Sequence, residues 1–200
     1  MRADLGAVAL LLGAGACATG GEGEPVCRPG EARGGEEVRA AALAGRYELT
    51  LVTTSGERAG MAATGTLVLT EMPEGMRAVR APGGETLEGV TAPLLGTLAL
   101  DLESVGATVA GSTDATDPEG PGVLVLESAP NAPAGTRPGV TIRFGSVAND
   151  RRQTRFDGAY TALFVRRTAE RGFFGSWASG VRREEAAGHF CALRASRTPR

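Results

Sequence analysis

Arg171-Gly-Phe-Phe-Gly-Ser-Trp-Ala-Ser-Gly180 and Gly188-His-Phe-Cys-Ala-Leu-Arg194 together predict a β-hairpin near the end of this 200-residue chain. In each segment large side chains are interspersed with small ones, which is typical of a half-buried strand. The residues that connect the two segments are polar. Phe173 and Trp177 share one face of the first strand, while Phe174 points to the other. This hairpin also carries the only Trp and the only His, and its place near the end of the chain makes it the closing pair of the expected all-β fold.

The preceding chain predicts further short strands separated by turns that contain Gly or Pro. They are Gly45–Thr54, Ala62–Thr70, Met76–Arg80, Gly96–Leu102, Val123–Leu126, Val140–Phe144 and Ala159–Arg167, with a weaker candidate at Thr108–Gly111. Every apolar run is too short or too β-branched for a globular helix, so no helix is expected to cover an open sheet. The expected fold is all-β, an antiparallel up-and-down β-barrel of eight to ten strands, with a β-sandwich as the alternative.

Alternation along these strands also predicts which side chains point inward. The inward set is Tyr47, Leu49, Leu51, Leu67, Leu69, Leu98, Leu100, Ile142, Phe144 and Trp177. An eight-stranded barrel is just wide enough for side chains or for one small ligand, and this set is large enough to fill it. If the barrel instead leaves a cavity, the expected interior ligand contacts are Tyr47, Phe173 and Trp177.

The first residues have the features of an export signal. Arg2 precedes an apolar run from Leu5 to Ala14 that is too short to span a bilayer, and small residues lead up to Cys17. A cysteine after two small residues resembles the lipobox of bacterial lipoproteins, in which the cysteine is acylated before the signal is removed. This resemblance implies a lipid on Cys17, although Ala14-Gly-Ala16 also fits an ordinary secretory cleavage site at the same bond. Ala18 after the cysteine, rather than Asp, implies the outer membrane.

These features divide the chain into four parts. We expect a signal peptide at 1–16, a flexible tether at 17–42, a β-barrel domain at 43–195 and a disordered tail at 196–200. The tether is rich in Gly, Glu and Pro and has few apolar side chains to bury, so it should stay extended apart from a helical turn or two between Glu36 and Leu43. The protein is expected in the bacterial cell envelope, on the outer membrane and facing the periplasm.

The predicted barrel resembles in architecture the calycins, the group that contains the lipocalins and avidins. Lipocalins carry a Gly-x-Trp motif in their first strand, whereas this chain has Gly175-Ser-Trp177 in its penultimate strand. The resemblance implies a small barrel that binds an apolar molecule, but it assigns no binding residue.

Three cysteines raise the question of pairing. If Cys17 carries the lipid, Cys27 and Cys191 remain, and export places them in an oxidising compartment where disulfides persist. Cys27 lies shortly before the first strand and Cys191 in the last, and closure of the barrel brings those strands together. The sequence therefore predicts a Cys27–Cys191 disulfide that ties the tether to the barrel seam. The alternative is two free thiols.

Charge is unevenly distributed along the chain, although the formal net charge is only −2. Residues 18–139 carry 8 Arg and 17 acidic residues, residues 140–200 carry 12 Arg and 5 acidic residues, and the chain has no lysine. The low net charge argues against a nucleic-acid partner. The guanidinium group matches carboxylate and phosphate, so one arginine-rich loop is a candidate contact for an anion or a protein partner. It contains Arg151, Arg152 and Arg155, and we expect Arg166, Arg167, Arg171, Arg182 and Arg183 near the same barrel end. A solvated rim paired with local acidic residues is the alternative.

No combination of residues predicts catalysis or a resident metal. A triad would have to use His189, and the serines near it lack the setting of a strained nucleophile, so we expect a hydrogen-bonded histidine that faces the barrel interior. One His and at most two spare Cys do not make a zinc site, and the acidic loop Asp114–Glu119 lacks EF-hand spacing. The sequence thus predicts a protein without enzymatic activity or cofactor. It would be an interaction module of the envelope, held to the membrane by its lipid, with a lipocalin-like carrier of a small apolar ligand as the alternative.

Overall fold

The computed structural model describes residues 27, 38–80, 85–109, 113, 122–132, 139–145, 160–180 and 184–195. Nine strands form one sheet: β1 (Gly45–Ser55), β2 (Ala62–Glu71), β3 (Ala78–Arg80), β4 (Thr86–Ala99), β5 (Val123–Ser128), β6 (Gly139–Phe144), β7 (Tyr160–Ala169), β8 (Gly172–Gly180) and β9 (Glu184–Arg194). Helical structure in the described residues is confined to three short 3₁₀ turns, at Ala40–Leu43, Glu74–Met76 and Glu103–Val105. The predicted signal peptide, the disordered tail and most of the tether lie outside the described residues.

The sheet closes into an antiparallel barrel of eight strands. Its order is β2-β1-β9-β8-β7-β6-β5-β4-β3, and an additional pairing joins β2 to β4, so β3 lies outside the closed ring. Each strand of the ring follows its neighbour in chain order, and β9 returns to pair with β1. The predicted up-and-down barrel is confirmed, and the described strands all belong to this one sheet, which leaves no second sheet among them to make a sandwich.

Strand β4 differs most from the sequence prediction. The sequence predicted a strand only at Gly96–Leu102, whereas β4 spans Thr86–Ala99. Pro93 interrupts the alternation of apolar residues, and it lies where the register between β4 and β5 shifts. A proline has no N–H for the ladder and is tolerated at such an irregularity, so the pattern concealed one continuous strand. Leu100 consequently lies beyond the strand and is only partly buried.

The inward side chains form one core. The largest of them are less than 2% exposed: Trp177, Tyr47, Phe173, Phe190, Leu49, Leu51, Leu67, Leu69, Leu94, Ile142 and Leu163. Apart from Leu100, the inward set predicted from alternation is confirmed. A second, smaller cluster of Met72, Ala92 and Leu124 lies on the outer wall, where Val79 of β3 packs against it.

In the closing hairpin, each of two aromatic residues lies opposite a glycine on the neighbouring strand. Trp177 of β8 is directly opposite Gly188 of β9, and Phe190 of β9 is directly opposite Gly175 of β8. A Cβ atom on Gly188 would clash with the carbonyl oxygen of Val52 on β1 and would lie 2.8 Å from the Trp177 Nε1 atom, so the backbone of β1 and the indole together leave no room for a side chain. The indole then reaches β1, where Nε1 donates a hydrogen bond of 3.1 Å to the carbonyl oxygen of Val52. Trp177 therefore connects three neighbouring strands across the seam.

We expect Gly188→Ala to destabilise the barrel, because the added methyl group pushes away the Val52 carbonyl of β1 and the Trp177 indole and so breaks the hydrogen bond between them. Overpacking of this kind costs roughly 1–3 kcal/mol, and loss of the hydrogen bond adds about 1 kcal/mol. The measurement is the free energy of unfolding in urea. Gly75→Ala is the matched control, since a Cβ atom there meets nothing within 4 Å. Equal stability of the two variants would contradict the packing described.

Candidate functional site: the barrel interior and its seam

The three aromatic residues predicted as interior ligand contacts lie inside the barrel, where they contact other parts of the protein. Tyr47 and Phe173 pack edge to face with ring centroids 4.9 Å apart. Phe173 packs in the same manner on Phe190, at 5.9 Å. Trp177 lies over Gly188, as described above. These are the contacts of a packed aromatic core.

The barrel end at which β1 begins is covered by the 3₁₀ turn Ala40–Leu43. The first and last residues of the turn belong to the core. Glu127 of β5 holds the turn, because its carboxylate accepts a 3.1 Å hydrogen bond from the first N–H of the turn and pairs with Arg39 at 3.4 Å. On the seam side, the Arg194 guanidinium lies 5.4 Å from the centroid of the Tyr47 ring. This end is closed by the protein's own chain.

The opposite end is covered by the chain that follows β4. Val105 is fully buried in the core, and its carbonyl accepts a 2.9 Å hydrogen bond from the Thr53 hydroxyl. The Thr108 N–H donates to the Ser179 Oγ at 2.8 Å, and the Thr161 hydroxyl donates to the Thr108 carbonyl at 2.7 Å. Thr108 therefore belongs to this cover and not to the strand predicted there. Hydrogen bonds from the strand ends satisfy the buried backbone of the cover.

The described interior is occupied by side chains. A cavity for a small ligand usually measures several hundred Å³. A cavity of that size would leave the side chains that line it open to water. The large inward side chains are instead inaccessible, with Leu49, Leu51, Leu67, Ile142 and Leu163 at 0%. The outer surface is therefore the part of the described barrel that is open to a partner.

The predicted disulfide is present. Cys27 and Cys191 are bonded, and their Cα atoms lie 5.5 Å apart, within the usual range for disulfides. Cys191 is paired with Thr50 of β1, so the bond lies at the seam where the first and last strands meet. Its neighbours Phe190 and Ala192 point into the core, which places Cys191 on the outer wall. The bond brings the chain that precedes the barrel onto the outer surface of the seam.

His189 lies beside this disulfide, and its predicted orientation is wrong. The sequence predicted an inward histidine, but β9 directs Phe190 into the core and His189 to the outer wall. The predicted hydrogen bond is present, since the Nε2 atom lies 3.1 Å from the carbonyl oxygen of Cys27. A carbonyl can only accept, so Nε2 carries the proton. The Nδ1 atom is buried and has no hydrogen-bond partner in the described part of the chain. The imidazole thus fixes the backbone of residue 27, in addition to the disulfide.

The predicted arginine contact lies outside the described residues, which exclude Arg151, Arg152 and Arg155. The expectation that Arg166, Arg167, Arg171, Arg182 and Arg183 lie near this loop therefore stays a prediction. β7 begins at Tyr160, whereas Arg167 lies near its other end and Arg171 lies in the turn beyond that end. Ten residues of strand at about 3.3 Å each separate the two ends. These arginines lie on the seam side, together with Arg46 on the outer face of β1.

Arg143, on the outer wall of β6, is a further arginine that the sequence did not single out. Burial lowers its pKa to about 10. This value is still well above neutral pH, so the guanidinium remains charged.

Among the described residues, no group of three His, Cys, Asp or Glu side chains is arranged to hold a metal ion. No helix in that part of the chain is long and apolar enough to cross a bilayer. The expected absence of catalysis, of a cofactor and of a resident metal stays a prediction from the sequence.

Comparison with known proteins gives one solved structure and no family. No family model and no curated protein match the chain. The structure of EF1p2_mFAP2b bound to DFHBI is similar over 78% of this chain and 96% of that chain, with 10% sequence identity and a TM-score of 0.35. This likeness is too distant to support an inference about the present protein.

We expect Cys27→Ser to reduce the free energy of unfolding by about 2–4 kcal/mol, because the bond closes a long loop in the unfolded chain. Peptide mapping without reductant should show a linked Cys27–Cys191 peptide that disappears on reduction. Cys17→Ser is the control and should retain both the peptide and the stability. Alkylation of both thiols without reduction would contradict the bond.

Tyr47 should titrate at unusually high pH. Burial raises its pKa above the ordinary value of 10.0, and the charge of Arg194 opposes this shift. The folded state therefore favours the neutral phenol. Its contribution to the free energy of unfolding is present below pH 10 and is lost as the pH rises through the folded pKa.

A Tyr160→Phe variant leaves Tyr47 as the only tyrosine, so ultraviolet absorbance of the phenolate reports on it alone. The absorbance should appear at higher pH in native protein than in denaturant. Identical titration curves would show that the barrel end beside Tyr47 is open to water.

Proposed function

We propose that this protein is exported and anchored by a lipid on Cys17, and that its barrel is a non-enzymatic interaction module of the bacterial cell envelope. The observation that carries the interaction role is the occupied interior. Large side chains fill it, and the protein's own chain covers both ends. A barrel of this kind offers a partner its outer wall and its loops, whereas a lipocalin-like carrier needs interior space.

Export is supported by two independent features. Residues 1–16 have the features of a signal sequence and end directly before Cys17. The Cys27–Cys191 disulfide is of the kind that persists in oxidising compartments such as the periplasm. The resemblance to lipobox sequences supports a lipid on Cys17. Ala18 after that cysteine supports a location at the outer membrane, with the barrel on the periplasmic side.

Acylation is tested by metabolic labelling. Radioactive palmitate should enter the wild type and not Cys17→Ser, and the variant should appear in the soluble periplasmic fraction. Cys27→Ser serves as the control and should be labelled like the wild type. Equal labelling of wild type and Cys17→Ser would contradict the anchor.

Native mass spectrometry separates the interaction module from the carrier. Protein purified from the envelope should have the mass of the acylated chain with no small molecule bound. Leu163→Ala provides a positive control, because loss of a fully buried side chain away from the seam opens a cavity. A fluorescent apolar probe should bind this variant and not the wild type. A small molecule that co-purifies with the wild type in stoichiometric amount would establish the carrier instead.

A further inference from the structure

We propose that the seam side of the barrel docks on an anionic lipid surface. We call this surface the seam wall: the outer faces of β8, β9 and β1 around Cys191, with Arg46, Arg167 and Arg171 at its margin. The inference rests on the proposed anchor at Cys17 and adds the orientation in which the anchor holds the barrel.

The length of chain between the anchor and the barrel wall is the first reason. Ten residues separate Cys17 from Cys27, so they span at most about 36 Å. Without the disulfide, the attachment point would be Val38, which packs against the core just before the turn Ala40–Leu43, and the intervening chain would reach roughly 75 Å. The disulfide therefore shortens the possible reach of the anchor to about one half.

The position of the attachment is the second reason. Cys27 is held over β9 by its bond to Cys191 and by the 3.1 Å contact between its carbonyl and His189. A compact domain of about 150 residues has a radius of gyration near 15 Å, and the path round it to the opposite wall is on the order of 60 Å. A tether of at most about 36 Å does not cover that path. The wall that carries the attachment is the wall that the anchor draws to the membrane.

The chemistry of the seam wall is the third reason. Phe174 is partly exposed beside Cys191, and the Arg167 guanidinium lies 5.2 Å from the centroid of its ring. Leu193 is partly exposed on the next row of β9. The margin adds the exposed Arg46 and Arg171. Arginine beside aromatic and aliphatic side chains suits the boundary between headgroups and acyl chains.

The acidic residues on the same strands do not cancel these cations. Glu48 on β1 and Glu170 in the turn after β7 are exposed near these arginines, whereas the exposed Glu184 and Glu185 lie at the opposite end of β9. Around the end of the wall where β9 finishes and β1 begins, the exposed Arg46, Arg166, Arg167 and Arg171 outnumber the two nearby glutamates. This end of the seam wall therefore carries an excess of positive charge that is complementary to anionic headgroups.

The test uses the mature chain, residues 17–200, which contains every described residue. Because Cys27 and Cys191 are bonded to each other, the Cys17 thiol can be coupled to a maleimide-bearing lipid in vesicles of phosphatidylcholine with phosphatidylglycerol. A photoreactive benzoylphenylalanine replaces either Ser176 on β8 or Thr97 on β4. Both positions lie on the outer wall, and their strands are opposite each other in the ring of eight. Lipid adducts are counted by mass after irradiation.

Lipid adducts at position 176 should exceed those at position 97 at least fivefold. Arg46→Gln with Arg171→Gln should reduce the adducts at 176 severalfold but leave them above those at 97, because the tether still orients the barrel. The control, Arg77→Gln, removes an arginine that lies between β2 and β3, away from the seam wall, and should change little. Replacing both Cys27 and Cys191 by Ala should remove the difference between the two positions, since the longer tether no longer orients the barrel.

Equal adducts at both positions, or a preference that ignores the seam-wall arginines, would overturn the proposal. Irradiation of the same position 176 variant in cells supplies a second criterion. An adduct there with protein in place of lipid would assign this wall to a protein partner and overturn it as well. Because the anchor is attached chemically, failure here is distinct from failure of acylation, which the palmitate experiment measures.

Discussion

The barrel depends on the indole of Trp177, which lies over Gly188 on the neighbouring strand and donates a hydrogen bond to Val52 on the strand beyond. One side chain thus connects the last two strands to the first. No loop connects β9 to β1, and their main-chain pairing closes the barrel, so a side chain that reaches across this pairing stabilises the closure. The reciprocal pair, Phe190 opposite Gly175, fills the adjacent space in the same way.

Closure by large aromatic residues has a consequence for function. The side chains that hold the seam occupy the volume in which a carrier would place its ligand. The covers at the two ends complete this exclusion: Glu127 holds one, and Thr161 and Ser179 hold the other. In this barrel, stability and ligand capacity compete for the same interior, and the observed packing favours stability. Binding is thereby left to the outer wall and the loops.

The disulfide acts on the outside of the seam that Trp177 holds from within. Cys191 and Trp177 lie on neighbouring strands and on opposite faces of the sheet, so the two links do not compete for space. The covalent link adds something that interior packing cannot supply, a defined point on the outer wall where the preceding chain arrives. His189 strengthens that point by holding the carbonyl of Cys27. Orientation toward a membrane is the property that such a fixed arrival point can confer.

Most of the strands and the cysteine pair follow from the sequence alone. Alternation of side chains is a local pattern, and setting Cys17 aside leaves only two cysteines to pair. The sequence did not determine the first half of β4, where Pro93 interrupts the alternation at a register shift. Nor did it determine the orientation of His189. Alternation states which residues share a face of a strand, but it does not state which face is inside. Only the tertiary structure decided this, because Phe190 turns inward to lie over Gly175 on a different strand, and His189 is thereby directed outward.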